Sequence, residues 1–236
     1  MRRLLFCLIF ILWLAGTPAD AEDATGYFNR AMQSSSANKK IEYFSKALEL
    51  DPSLAVAYAK RGLLYYYQEK YDNVISDFEN YTKLEPNEAE GYRMLAMGYL
   101  YKGAYDAAIA TFNQALEIDP KLISALSYRA EAYRRSEHDQ EAVRDSTTAI
   151  QLGGNPRVVA DAYITRAKVY RKLGQQKLAV ADIKSSLQVD PRTWFYRYVS
   201  GYASLEDISG AGLVTLLVLA AVLIFKFTMR APRKDE

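Results

Sequence analysis

Tyr58, Arg61, Gly62 and Tyr65 stand at i, i+3, i+4 and i+7, one face of a helix, and Val74, Phe78 and Tyr81 mark the facing stripe of a second. The alternation of stripes continues along the chain. Turns such as Lys102-Gly103-Ala104 and Leu173-Gly174-Gln175 separate the two helices of a pair with the residue that most readily takes positive φ. Prolines fall where one helix must stop and the next begin. Each stripe also holds a small residue, Gly62, Ala96, Ala130 or Ala167, where a large side chain would hold two helices apart. The pattern predicts an all-α chain of helix pairs, each burying its stripe against its own partner and the next pair.

The pairs repeat. Pro52, Pro86 and Pro120 are spaced by 34 and 34 residues, and Ala47-Leu48-Glu49-Leu50-Asp51-Pro52 is answered by Ala115-Leu116-Glu117-Ile118-Asp119-Pro120 and by Leu187-Gln188-Val189-Asp190-Pro191. One unit reads Tyr58, Arg61-Gly62, Tyr65, Val74, Phe78, Tyr81, Pro86, and the next Tyr92, Leu95-Ala96, Tyr99, Ala108, Phe112, Ala115, Pro120. Two more follow: Leu126, Arg129-Ala130, Tyr133, Ala142, Ser146, Ala149, lengthened by Gly153-Gly154-Asn155-Pro156, and then Tyr163, Arg166-Ala167, Tyr170, Ala179, Ile183, Leu187, Pro191. A degenerate first unit runs Ala24, Tyr27-Phe28, Ala31, Ile41, Phe44, Ala47, Pro52. This phrase resembles the tetratricopeptide repeat family. The resemblance implies a solenoid of about five helix-turn-helix repeats, at about 22–54, 55–88, 89–122, 123–157 and 158–191. It departs from the family pattern at Phe28, at Ser146 and in the longer fourth turn.

The ends read differently. Arg2 and Arg3, the apolar run Leu4 to Ala15 and the small-residue pattern Ala19-Asp20-Ala21 describe a signal peptide, residues 1–21. Ile208 to Phe227 is 20 residues long with one charge, Lys226, near its end, where the long stem can carry the ammonium to the headgroups. Glu206 and Asp207 precede this run, and Lys226, Arg230, Arg233 and Lys234 follow its core, which places the tail 228–236 in the cytoplasm and the repeats outside. The expected location is a single-pass bacterial inner membrane protein facing the periplasm. A eukaryotic secretory membrane is the alternative, with which the sequon Asn80-Tyr81-Thr82 is compatible. Between repeats and span, the aromatic segment Arg192 to Val199 reads as part of a capping helix over 192–207 or as an interfacial aromatic belt.

Composition narrows the function. The only cysteine, Cys7, lies in the signal peptide, so the mature chain needs no disulfide and offers no thiol. Residues 22–209 carry 24 Lys and Arg against 25 Asp and Glu, which gives no bulk attraction to nucleic acid. No catalytic signature or metal-ligand spacing is present, the lone His138 falls in a turn, and neither cofactor nor enzyme activity is expected. Binding is. One helical step round from the packing stripe stand Leu63, Tyr66 and Tyr67, then Arg93, Met97, Leu100 and Tyr101, then Glu131, Arg134 and Arg135, then Lys168, Arg171 and Lys172. These residues are expected to line a wall that is aromatic and aliphatic early and cationic late. Its ligand would be a protein or peptide with an apolar part and an acidic or C-terminal carboxylate part. The family's clamp for chaperone C-termini uses asparagine on this wall; the matching positions here are Leu63, Met97, Glu131 and Lys168, so that ligand is not expected. The reading is a membrane-anchored scaffold, the alternative a chaperone-like assembly factor for exported or membrane-complex subunits.

Overall fold

The computed structural model describes residues 23–191. The signal peptide, the capping segment 192–207, the apolar run 208–227 and the tail lie outside the described residues. Among those described, no helix is long and apolar enough to cross a membrane. They form ten α-helices and no strand, in two compact units divided after Leu122. Unit 1 holds α1 (Ala24–Gln33), α2 (Ala37–Leu50), α3 (Ala55–Tyr67), α4 (Tyr71–Leu84), α5 (Ala89–Lys102) and α6 (Tyr105–Ile118). Unit 2 holds α7 (Ile123–Arg135), α8 (Asp139–Leu152), α9 (Pro156–Lys172) and α10 (Gln176–Val189). Within each unit every helix packs on its successor, and in unit 2 α9 also packs on α7.

Local chemistry sets the helix ends. The Asp23 carboxylate accepts the Gly26 amide at 2.7 Å to open α1. Asn155 accepts the Arg157 amide at 3.0 Å, with Pro156 as the first residue of α9. Between the helices of a pair, one residue takes positive φ: Glu69 at 57°, Gly103 at 88°, Glu137 at 67° and Gly174 at 73°. The next amide then reaches back to the stripe tyrosine five residues earlier: Lys70 to Tyr65 at 3.0 Å, Ala104 to Tyr99 at 2.9 Å, His138 to Tyr133 at 2.8 Å and Gln175 to Tyr170 at 2.8 Å. Glycine marks only half of these turns. The other two hold a glutamate in a conformation that costs a non-glycine residue about 1–2 kcal/mol.

The core is built from the expected stripes. Ala31, Phe44, Leu48 and Ala57 form one buried cluster, with Phe28 packed against it. Val74, Phe78, Ala108, Phe112, Ala142 and Ala149 are buried further along. At Gly62 an added Cβ would lie 2.8 Å from Cε2 of Phe78, so only hydrogen fits there without movement. Ser146 stands where the first three repeats carry phenylalanine. It is fully buried, and its hydroxyl donates to the Ala142 carbonyl at 2.7 Å, which satisfies the polar group within its own helix. Ile183, expected in the stripe, is instead 37% exposed; α10 packs on α9, and the buried positions of its face are Ala179, Asp182 and Ser186.

Asp182 belongs to a device that the stripes do not disclose. Arg61 donates from Nε and Nη2 to Asp77 at 3.0 and 2.6 Å. Arg129 does so to Asp145 at 2.6 and 3.0 Å. Arg166 repeats it with Asp182 at 2.8 and 2.7 Å. Each is a two-pronged pair between the helices of one repeat, sixteen residues apart, with the carboxylate buried. The guanidinium also lies over stripe tyrosines: Arg61 is 5.8 Å from Tyr58 and 6.0 Å from Tyr65, and Arg166 is 5.6 Å from Tyr163 and 5.8 Å from Tyr170. A third prong holds the preceding repeat, through Ser45 on α2 at 2.9 Å from Arg61 and Thr147 on α8 at 2.9 Å from Arg166. The remaining repeats change both partners together. Tyr27 faces Tyr43 with ring centres 6.5 Å apart, and Leu95 and Thr111 are both buried. In that last repeat the link to the preceding pair passes to Tyr99, whose hydroxyl donates to Glu79 at 2.8 Å.

Candidate functional site

The positions one step off the stripe gather separately in each unit. In unit 1, the ends of α3 and α5 and the start of α4 bring four tyrosines together. Tyr66 meets Tyr67, Tyr71 and Tyr101 edge-on, at 5.9, 6.5 and 5.7 Å between ring centres. Tyr71 and Tyr101 stack at 5.5 Å with an interplanar angle of 16°. Leu63 and Tyr101 are each 37% exposed, while Tyr67 is 74% exposed. Burial, and next the charge of Glu69, push the Tyr71 phenol above its ordinary value. An exposed ion pair, Lys102 to Asp72 at 2.6 Å, lies across the same helix ends.

Two expected wall residues of α5 are not on a wall. Met97 is 3% exposed and Leu100 1%. At Gly91 and Gly98 an added Cβ would come within 2.6 Å of Tyr81 and 2.9 Å of Ile75, so α5 lies close against α4, and its buried residues are spread round the helix. The Arg93 guanidinium pairs with Glu90 and points further nitrogens at the sulfurs of Met94 and Met97. Met97 is thus buried, Arg93 is half-buried beside the exposed Glu90, and Leu63, Tyr66, Tyr67 and Tyr101 form the more accessible group.

In unit 2 the cations converge on carboxylates. Arg134 donates from Nε and Nη2 to the two oxygens of Glu131, both at 2.8 Å, and Arg135 donates from Nε at 2.8 Å. From α9, Thr165 reaches the same carboxylate at 3.5 Å. Burial works against the charged form of Glu131, but the Arg134 hydrogen bonds, the nearby Lys168 charge and the Arg135 hydrogen bond outweigh it and hold the carboxyl down to about 2. Lys172 on α9 pairs with Asp139 at the start of α8, at 2.8 Å, and Arg171 is exposed at the end of α9. The row of five cations is therefore partly neutralised. Around Glu131, Arg134 and Arg135 pair with the carboxylate and the Lys168 charge lies near it, on a half-buried surface. Asp139 is a site residue the sequence reading missed, since it stands in the turn that was read for its histidine. His138 itself is exposed, with Nδ1 3.0 Å from the Ser136 hydroxyl.

The units also differ in bulk charge. Residues 23–122 hold 11 Lys and Arg against 14 Asp and Glu, whereas residues 123–191 hold 11 against 8. Among the described residues, no group of three acidic, histidine or cysteine side chains is placed to hold a metal ion.

Two segments match family models: residues 98–136 match a TPR repeat model, and residues 160–193 a tetratricopeptide repeat model. No match was found among curated proteins. Solved structures of similar fold include YrrB, described as a TPR protein with an unusual peptide-binding site, at 22% identity, covering 72% of this chain and 87% of that one, with a TM-score of 0.59. MamA (residues 41 to the end) from Desulfovibrio magneticus RS-1 is similar at 15% identity, 74% and 98% coverage and a TM-score of 0.63. TTC0263, a thermophilic TPR protein in Thermus thermophilus, is similar at 16% identity, 75% and 97% coverage and a TM-score of 0.58. At these identities the likeness is one of fold, and with the two matched segments it makes the described part of this chain an all-α fold of tetratricopeptide repeats.

Proposed function

We propose that the chain is a protein-binding scaffold that is exported, tethered to a membrane by its C-terminal apolar run, and engages a partner through side chains next to the packing stripes, without catalysis. Tetratricopeptide proteins mediate protein or peptide binding, and the neighbour YrrB is described as having a peptide-binding site. The observation that carries the reading for this chain is the cluster on α7 and α9, where Arg134, Arg135 and the Lys168 charge gather round the Glu131 carboxylate. Such a surface attracts an acidic side chain or a terminal carboxylate, to which a guanidinium can offer two parallel hydrogen bonds. A tether is supported by the sequence of Ile208 to Phe227 and its basic flank.

The test is a crosslinking capture from native membranes, comparing the intact chain with Arg134→Glu, Arg135→Glu, Arg171→Glu and Lys172→Glu combined. Loss of one dominant partner, with the helical circular dichroism unchanged, supports the cationic face. Unchanged capture removes it. Protease accessibility of the repeats in spheroplasts, with carbonate extraction of the membranes, tests the location and the tether.

A further inference from the structure

We infer that the tyrosine cluster of unit 1, together with Glu69, is a recognition site for a positively charged side chain, arginine or lysine, of a partner protein. The inference rests on the protein-binding reading but uses a different face and the opposite ligand charge. Its first support is the rings. Three tyrosines meet Tyr66, from the ends of α3 and α5 and the start of α4, and Tyr67 keeps 74% of its surface in water, open to a partner. The faces of tyrosine rings attract cations.

The chain already uses that chemistry on itself. In the same unit Lys46 lies 5.6 Å from the Tyr27 ring, Arg61 lies 5.8 Å from Tyr58, and Lys70 lies 6.0 Å from Tyr65.

The second support is Glu69. It occupies the left-handed turn position, φ 57°, that the equivalent turns at 103 and 174 give to glycine. Glycine would be the more stable choice for the backbone, so what Glu69 adds is a carboxylate, two residues from Tyr71 at the rim of the rings. The turn at 137 likewise holds a glutamate, at φ 67°. The neighbouring acid Asp72 is paired with Lys102, and Lys70 lies over Tyr65, so Glu69 supplies the negative charge that complements an incoming cation.

The experiment uses the full chain in detergent and three short glycine-serine peptides: one with alternating arginines, one with citrulline in their place, which keeps the shape and loses the charge, and one with glutamate. The arginine peptide is expected to bind at least about tenfold more tightly than the citrulline peptide. Tyr67→Ala and Glu69→Gly are each expected to weaken the arginine peptide about tenfold and leave the glutamate peptide unchanged. Glu69→Gly suits the turn, so a folding defect does not mimic the loss.

Equal binding of arginine and citrulline peptides overturns the proposal, as does undiminished arginine binding by Glu69→Gly. If the arginine peptide fails while the glutamate peptide binds and is lost in Arg134→Glu with Arg135→Glu, this proposal falls alone. If neither peptide binds, it falls together with the reading on which it rests.

Discussion

Leu63, Tyr66 and Tyr67 at the end of α3 occupy the same stations as Glu131, Arg134 and Arg135 at the end of α7, and as Lys168, Arg171 and Lys172 at the end of α9. In unit 1 these stations collect rings around Tyr66; in unit 2 they collect guanidinium groups around Glu131. The stripe beside them hardly changes, because Tyr65 and Tyr133 both close their turns and Arg61 and Arg129 both fork onto an aspartate. The packing stripe is fixed by neighbours on two sides. The positions one step round are less uniformly packed, and there the two units carry different chemistries.

The largest break in this likeness comes from the shared part. Asp182→Ala leaves Arg166 without its partner in a largely buried place, and is expected to cost about 3–5 kcal/mol in urea unfolding. Arg166→Leu combined with Asp182→Thr installs the Leu95 and Thr111 pairing of unit 1 and is expected to recover most of that loss. A double variant as poor as the single one would mean that the pair does more than fill space.

Acid separates the two units next. Glu131 has a folded value of about 2 against an ordinary 4.5, so its contribution is complete above about pH 5 and is lost as the pH falls through the folded value. The magnitude is of order 3 kcal/mol at about 1.4 kcal/mol per unit. Glu131→Gln is expected to be less stable than the parent at pH 6 and nearly level with it at pH 2. Met97, at the matching station of unit 1, has nothing to titrate, so hydrogen exchange in α7 should accelerate in acid before that in α5.

Small residues sharpen the comparison further. Gly62→Ala pushes a methyl to 2.8 Å from Phe78 and is expected to cost about 1–3 kcal/mol. The reverse change at the equivalent station of unit 2, Ala130→Gly, is expected to cost only about 1 kcal/mol, from helix propensity. The smallest effect is a gain: Glu69→Gly in unit 1 and Glu137→Gly in unit 2 should each add about 0.5–1 kcal/mol by relieving the left-handed turn, read as a rise in Tm.

Much of this architecture was legible because stripes, prolines and turn glycines are local signals. Gly103 and Gly174 take the positive φ expected of them. Glu69 and Glu137 carry no such signal, since a glutamate in that conformation is held there by its surroundings. Met97 was misplaced for a similar reason: its spacing puts it beside the stripe, but its burial is set by packing between helices, which spacing along one helix does not show. The pairs Arg61–Asp77, Arg129–Asp145 and Arg166–Asp182 were written in the sequence as a threefold spacing of sixteen. A search for apolar periodicity passes over them because both members are charged. The convergence of Arg134 and Arg135 on Glu131 follows from i+3 and i+4 neighbours on one helix, whereas the approach of Thr165 depends on packing between helices.

Repeat chains grow by duplicating blocks, and the third prong of Arg61 and of Arg166 restricts which copy can precede theirs. A block that begins with Arg61 or Arg166 is completed by a hydroxyl, Ser45 or Thr147, belonging to the block before it. The Leu95 block instead needs a predecessor that offers the Glu79 carboxylate to Tyr99. These three blocks therefore choose their predecessors, like words with agreement endings, and a shuffled chain would leave half-buried polar groups without partners at the wrong joins.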